Sequence, residues 1–163
     1  MQIEISKRTD GSVVLKLRRR DGTEDWQKQQ GPQALFFPLH DMTHYVVETE
    51  LAIRDAFYGL VASGWSMEDT TGKGRRGPLP APALFVESVV GSLDTERASG
   101  SRWTADEFNE NTARFAAQSG RPAPRRLTDD ELARIRKRRA ELFAAWHELP
   151  AGRTLELTFP DPD

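Results

Sequence analysis

Cysteine is missing from this sequence altogether. That excludes disulfides and thiolate-held zinc, so any bound metal must be ligated by nitrogen and oxygen. It leaves the redox compartment open. Long apolar runs are missing too: nothing approaches the roughly 20 residues of a membrane helix. The start, Met1-Gln2-Ile3-Glu4-Ile5, lacks the basic residues and apolar stretch of a secretion signal. A cytoplasmic location without membrane contact is the expectation. Net charge is small, -2 over 163 residues, so the chain has no global attraction to nucleic acid or anionic lipid. Arginine is used far more than lysine, a bacterial-like composition that reflects coding preference as readily as function. The length suits one domain, 1–163, with a real hydrophobic core and is short for two. No internal repeat is present.

What is there begins with β-structure. Ile3 and Ile5, then Val13, Leu15 and Leu17, alternate with polar residues, the pattern of half-buried strands. Asp10-Gly11 between them signals a hairpin, because such turns need a positive φ. Asp21-Gly22 marks a second turn, into a short polar strand around Trp26. Alternation returns at the C-terminus, where Leu155, Leu157 and Phe159 share one face. The expected sheet is antiparallel and contains Ile3–Lys7, Val13–Arg18 and Thr154–Phe159, with the odd-numbered apolar residues facing helices.

The middle reads as helical. Met42, Tyr45, Val46, Ala52, Ile53, Ala56, Phe57 and Leu60 form an apolar face that predicts a single helix from Pro38 to about Val61. A second helix begins near Pro82. Two more are announced by capping boxes, Thr104-Ala105-Asp106-Glu107 and Thr128-Asp129-Asp130-Glu131, with Trp103/Phe108 and Leu127/Leu132 as hydrophobic staples. The predicted architecture is α+β: a small antiparallel sheet, made of the N-terminal hairpin and the C-terminal strand, packed by about four helices.

Chemistry concentrates in His40-Asp41-Met42-Thr43-His44-Tyr45-Val46-Val47-Glu48. It contains two of only 3 histidines, four residues apart, with a carboxylate four further on. On a helix His40, His44 and Glu48 share one side, and paired imidazoles at that spacing are how one helix offers two nitrogens to a transition metal. The expected ligands are His40, His44 and Glu48, holding a divalent metal such as zinc. Along a helix His40 and Glu48 stand about 12 Å apart, so Glu48 serves either as a ligand or as an outer partner of His44. The stripe lies opposite the main apolar face, which places it in a cleft or under a second element. The lone His147, at the edge of the last helix's apolar stripe, reads as structural.

The five residues His40–His44 resemble the zincin metalloprotease motif, with Asp41 where that family has glutamate as general base. The shorter aspartate sets the base back by more than about 1 Å, so the resemblance does not carry protease activity. His40-Asp41 also resembles the signature of HD-type phosphohydrolases, but those need a further upstream histidine and none precedes His40.

Two basic regions complete the inventory. The connection Ser63–Ala81 is rich in glycine and proline, a composition that predicts a mobile connector. Its Lys73, Arg75 and Arg76 would offer three cations to an anionic substrate, although Gly74 rules out a P-loop. Between Arg114 and Arg139 lie nine basic and three acidic residues. Exposed aromatics do not interleave with them, which favours a salt-bridged surface over a nucleic-acid interface. Arg139 falls inside an apolar stripe and is expected to snorkel or to meet Glu48, Glu50 or Glu87.

The functional expectation is a divalent-metal-binding protein that hydrolyses an anionic substrate, with Asp41 or Glu48 handling the proton and Lys73, Arg75 and Arg76 attracting the substrate. The alternative is a non-catalytic interaction or nucleic-acid-binding protein using its arginine-rich half. The partner stays unspecified.

Overall fold

Alternating burial builds the sheet of the computed structural model, which describes residues 1–72 and 74–161. Strands β1 (Gln2–Lys7), β2 (Val13–Arg18) and β3 (Glu24–Gln29) form an antiparallel meander. β4 (Thr154–Thr158) joins the free side of β1, giving the order β3-β2-β1-β4. Ile3 pairs with both Leu17 and Leu157, and Ile5 with both Leu15 and Leu155. Because side chains alternate across a strand, this register turns the odd-numbered residues inward. Ile3, Ile5, Leu15 and Leu17 are fully buried. The first hairpin turns through Thr9-Asp10-Gly11, with the positive φ on Gly11 alone. The loop therefore has three residues, ending in a left-handed glycine. The chain ends meet: the N-terminal ammonium donates to the Phe159 carbonyl at 2.8 Å.

The first predicted helix is divided. Helix α1 runs from Pro32 to Glu50 and helix α2 from Phe57 to Ala62. α1 starts earlier than its apolar pattern indicates, behind Gly31 at φ 56 and with Pro32 in its first turn, where proline's missing N–H costs nothing. It ends in a sharp bend at Ala52, the one non-glycine residue with positive φ among the described residues. The cause is Glu48. Its buried carboxylate needs donors, and the bend brings the N-terminus of α2 back to supply them.

Helices α3 (Ala81–Ser99) and α5 (Asp129–Glu148) flank α1, and α4 (Ala105–Gln118) lies on α3. α3 and α4 approach closely at Gly91, where a Cβ would fall 2.8 Å from the Phe115 ring. Both capping boxes form with reciprocal bonds, Thr104 with Glu107 and Thr128 with Glu131. α1 is thus central: every residue from Asp41 to Glu48 is buried. Over that stretch the helix takes its polar stripe inside with it, burying His44 and Glu48 and leaving His40, one turn earlier, partly exposed. Among the described residues no helix is long and apolar enough to cross a membrane.

Candidate functional site

Two carboxylates on α3 face the two histidines of α1. Nδ1 of His40 lies 2.8 Å from Oδ2 of Asp94. A carboxylate only accepts, so the neutral ring keeps its proton on Nδ1 and leaves a lone pair on Nε2. His44, 3% exposed, has Nδ1 3.7 Å from Oε1 of Glu48 and Nε2 3.4 Å from Oε1 of Glu87. The first distance is too long for a hydrogen bond, and Nδ1 is buried without a hydrogen-bond partner. Burial works against charging this imidazole. The surrounding carboxylates of Glu48, Glu87 and Asp41 more than offset that, and its pKa lies above the ordinary 6.5. The two rings meet edge to face with centroids 4.8 Å apart.

Glu48 is fully buried, and its oxygens accept the backbone N–H groups of Tyr58, at 3.0 and 3.2 Å, and Gly59, at 3.1 Å. It caps α2 from a distance, since the local cap residue Ala56 offers no side-chain acceptor. Gly59 admits no side chain here: a Cβ would lie 1.9 Å from the Arg54 carbonyl oxygen. Burial raises the Glu48 pKa, with His44 and the two N–H groups opposing the shift. The Tyr58 hydroxyl donates to the Asp41 carbonyl at 3.1 Å, tying α2 to α1 a second time. Glu48 therefore turns toward α2, away from the space in front of the histidines.

That space is a cavity of about 300 Å³. His40, Asp41, His44, Glu87 and Arg121 provide its polar lining, while Phe37, Phe57, Met67 and Leu79 provide an apolar wall. Asp41 is 4% exposed, and its Oδ2 accepts one bond, from Gln29 Nε2 at 3.3 Å. Burial pushes its pKa up from 3.8 to about 6, against the pull of His40, Gln29 and His44. A carboxyl group with that pKa can take and return a proton near neutrality.

The connection between α2 and α3 is one wall of this cavity. Asp69 organises it, accepting from Ser66 N at 3.0 Å, Ser66 Oγ at 2.8 Å and Arg75 N at 2.8 Å. Met67 and Leu79 pack on the core, and Thr70 and Thr71 also line the cavity. Two of the predicted substrate cations, Arg75 and Arg76, sit elsewhere. Arg75 is exposed, and Arg76 folds back to donate to the Gly64 carbonyl and lie over the Trp65 ring. Neither lines the cavity. Lys73 lies outside the described residues.

The arginine-rich half is mostly neutralised. Arg125 pairs with Glu131, Arg126 with Asp106, Arg134 with Glu50, Arg136 with Glu96 and Arg138 with Glu141. Arg139 lies over the Phe143 ring and faces Asp94 and Glu96, with burial lowering its pKa. Of its three anticipated partners, Glu50 is taken by Arg134, Glu48 bonds to α2 and Glu87 faces His44.

Glu87, Asp94 and Arg121 are the site residues that sequence reasoning missed. One signal was available: Glu87 and Asp94 stand two turns apart on one helix, a spacing that keeps both on the same face. Nothing local marks Arg121. Among the described residues no group of three or more histidine, aspartate and glutamate side chains is arranged to hold a metal ion. No family model, curated protein or solved structure matches the chain.

Proposed function

We propose that the cavity binds a divalent metal through Nε2 of His40, Nε2 of His44 and the carboxylate of Glu87, and that the protein uses it to hydrolyse a small anionic substrate. The observation that carries this reading is the orientation of the histidines. His40 has Nδ1 hydrogen-bonded to Asp94 at 2.8 Å, the arrangement by which outer carboxylates orient metal-bound imidazoles. His44 has Nδ1 3.7 Å from Glu48, beyond hydrogen-bond reach, with Nε2 toward Glu87. The spacing of His44 Nε2 and Glu87 Oε1, 3.4 Å, is also close to the ~3.3 Å that separates two ligands of one tetrahedral ion with bonds near 2 Å. Binding requires the His40 ring and the half-exposed Glu87 to close on the ion. The metal would supply an acidified water. Asp41, in the same cavity, would serve as the proton acceptor, and Glu48 holds α2 in place through the Tyr58 and Gly59 N–H groups.

A second reading rests on the His40–Asp94 contact alone. A histidine held by an aspartate at 2.8 Å is a general base whose free Nε2 accepts a proton without any metal.

Titration of metal-free protein with cobalt or zinc separates the two. The metal reading expects one bound ion, loss of binding in His44→Ala, and weakening of about 10- to 100-fold in Asp94→Asn. Equal weak affinity in all three proteins overturns it and leaves the metal-free dyad.

A further inference from the structure

Arg121 differs from Arg125, Arg126, Arg134, Arg136 and Arg138, and from Arg139, whose Nη1 is likewise buried and unpaired but which does not line the cavity. It sits just past α4, where Gly120 at φ 64 turns the chain and the Arg121 N–H closes the helix end on the Ala116 carbonyl at 2.9 Å. Its guanidinium lies 5.8 Å from the Phe115 ring centroid. One of its terminal nitrogens, Nη1, is buried without a hydrogen-bond partner, and among the described residues no carboxylate pairs with it. Arg125, Arg126, Arg134, Arg136 and Arg138 all have such partners. A buried charged donor left unpaired is costly. Among the described residues Arg121 is also the only basic side chain besides the histidines in the lining of the 300 Å³ cavity.

We propose that Arg121 is the anion-recognition residue of this cavity, and that the group it receives is the carboxylate of a small, otherwise apolar acid. Three features point to that class. A guanidinium presents paired donors that match a carboxylate. The lining around it is largely apolar, with Phe37, Phe57, Met67 and Leu79 available to cover a hydrocarbon or aromatic body. Asp41 and Glu87 share the cavity with Arg121 and the two histidines, so a doubly charged phosphate would meet two acids, whereas a monoanion is matched by the one guanidinium. The volume stands at the lower end of ligand pockets, which span roughly 300–1,000 Å³, so the acid is small. The inference rests on the proposed function only in taking this cavity as the functional one; it requires no metal.

Fluorine NMR with para-fluorobenzoate as probe tests it, with para-fluorobenzamide as the neutral isostere and para-fluorophenyl phosphate as the dianion. Wild-type protein should bind the benzoate in preference to both. Arg121→Gln should weaken benzoate binding by about 10- to 100-fold, the worth of a charge-assisted contact, and leave the weak benzamide binding unchanged. Arg121→Lys, which keeps the charge and loses the fork, should fall between. Thermal unfolding checks that both variants are folded. Equal binding of benzoate and benzamide, no benzoate binding at all, or undiminished binding in folded Arg121→Gln overturns the proposal. Tighter binding of the phosphate overturns the carboxylate assignment. Failure of the metal titration alongside Arg121-dependent benzoate binding removes the metal reading alone. Metal binding without benzoate binding removes this inference alone.

Discussion

The carboxylate of Glu48 receives the backbone N–H of Tyr58 at both of its oxygens, 3.0 and 3.2 Å away. One buried acid thereby ends the central helix, starts the next and stands behind His44. The region most suited to chemistry is thus also a structural junction. Substitutions there act on stability and on the site together, and each must be read with both in mind.

Glu48→Gln is expected to destabilise the protein by roughly 2 kcal/mol, because an amide replaces a charged acceptor facing the Tyr58 and Gly59 N–H groups. Urea unfolding measures this directly. A change within experimental scatter would show that water or another group serves α2 equally well.

Asp41 makes stability depend on pH in the direction opposite to a salt-bridged acid. Its pKa rises from 3.8 to about 6 on folding, so the native state holds a proton that the unfolded chain has already released in that window. Its penalty is absent below about pH 4, grows as pH rises and is complete above about pH 6. Asp41→Asn cannot ionise and should be more stable than wild type by up to ~3 kcal/mol above pH 6. That advantage should vanish at low pH, while any hydrolytic activity that needs a proton acceptor is lost. A stability gain independent of pH would contradict the assignment.

His44 titrates in the opposite sense. Its folded pKa is raised above 6.5, so the stabilisation of its charged form is fully present below pH 6.5 and is lost as pH rises through the folded value. Proton NMR of the imidazole should give a midpoint above that of a free histidine. If the cavity binds metal, protons compete for Nε2, and on lowering the pH affinity should start to be lost while the pH is still above 6.5. A midpoint below 6.5 would mean that burial outweighs the neighbouring carboxylates.

The cavity wall formed by the connection between α2 and α3 depends on Asp69, which holds Ser66 and Arg75 together. Asp69→Ala should release it and speed trypsin cleavage after Arg75 or Arg76 several-fold, since local opening controls such cuts. Unchanged cleavage kinetics would place the restraint in the packing of Met67 and Leu79 instead.

Much of the fold was legible in local pattern. Strands β1, β2 and β4 follow from alternation at Ile3, Ile5, Val13, Leu15, Leu17 and Leu157, because a buried sheet face demands a period of two. The starts of α4 and α5 follow from Thr104/Glu107 and Thr128/Glu131, whose capping bonds close within a few residues. The division of α1 from α2 was not legible. The periodicity from Met42 to Leu60 is continuous, and the break depends on Glu48 finding donors after the chain has turned.

The sequence by itself determined the α+β architecture and brought His40 and His44 to one side of one helix, because strand alternation, capping and i,i+4 neighbours are properties of a few consecutive residues. Only the tertiary structure decided what stands opposite them. Asp94 meets His40, Glu87 meets His44, Glu48 turns to Tyr58 and Arg121 lines the cavity. Those contacts join residues far apart in the chain, and their distances are set by how α3 and the end of α4 pack on α1, which no local pattern encodes.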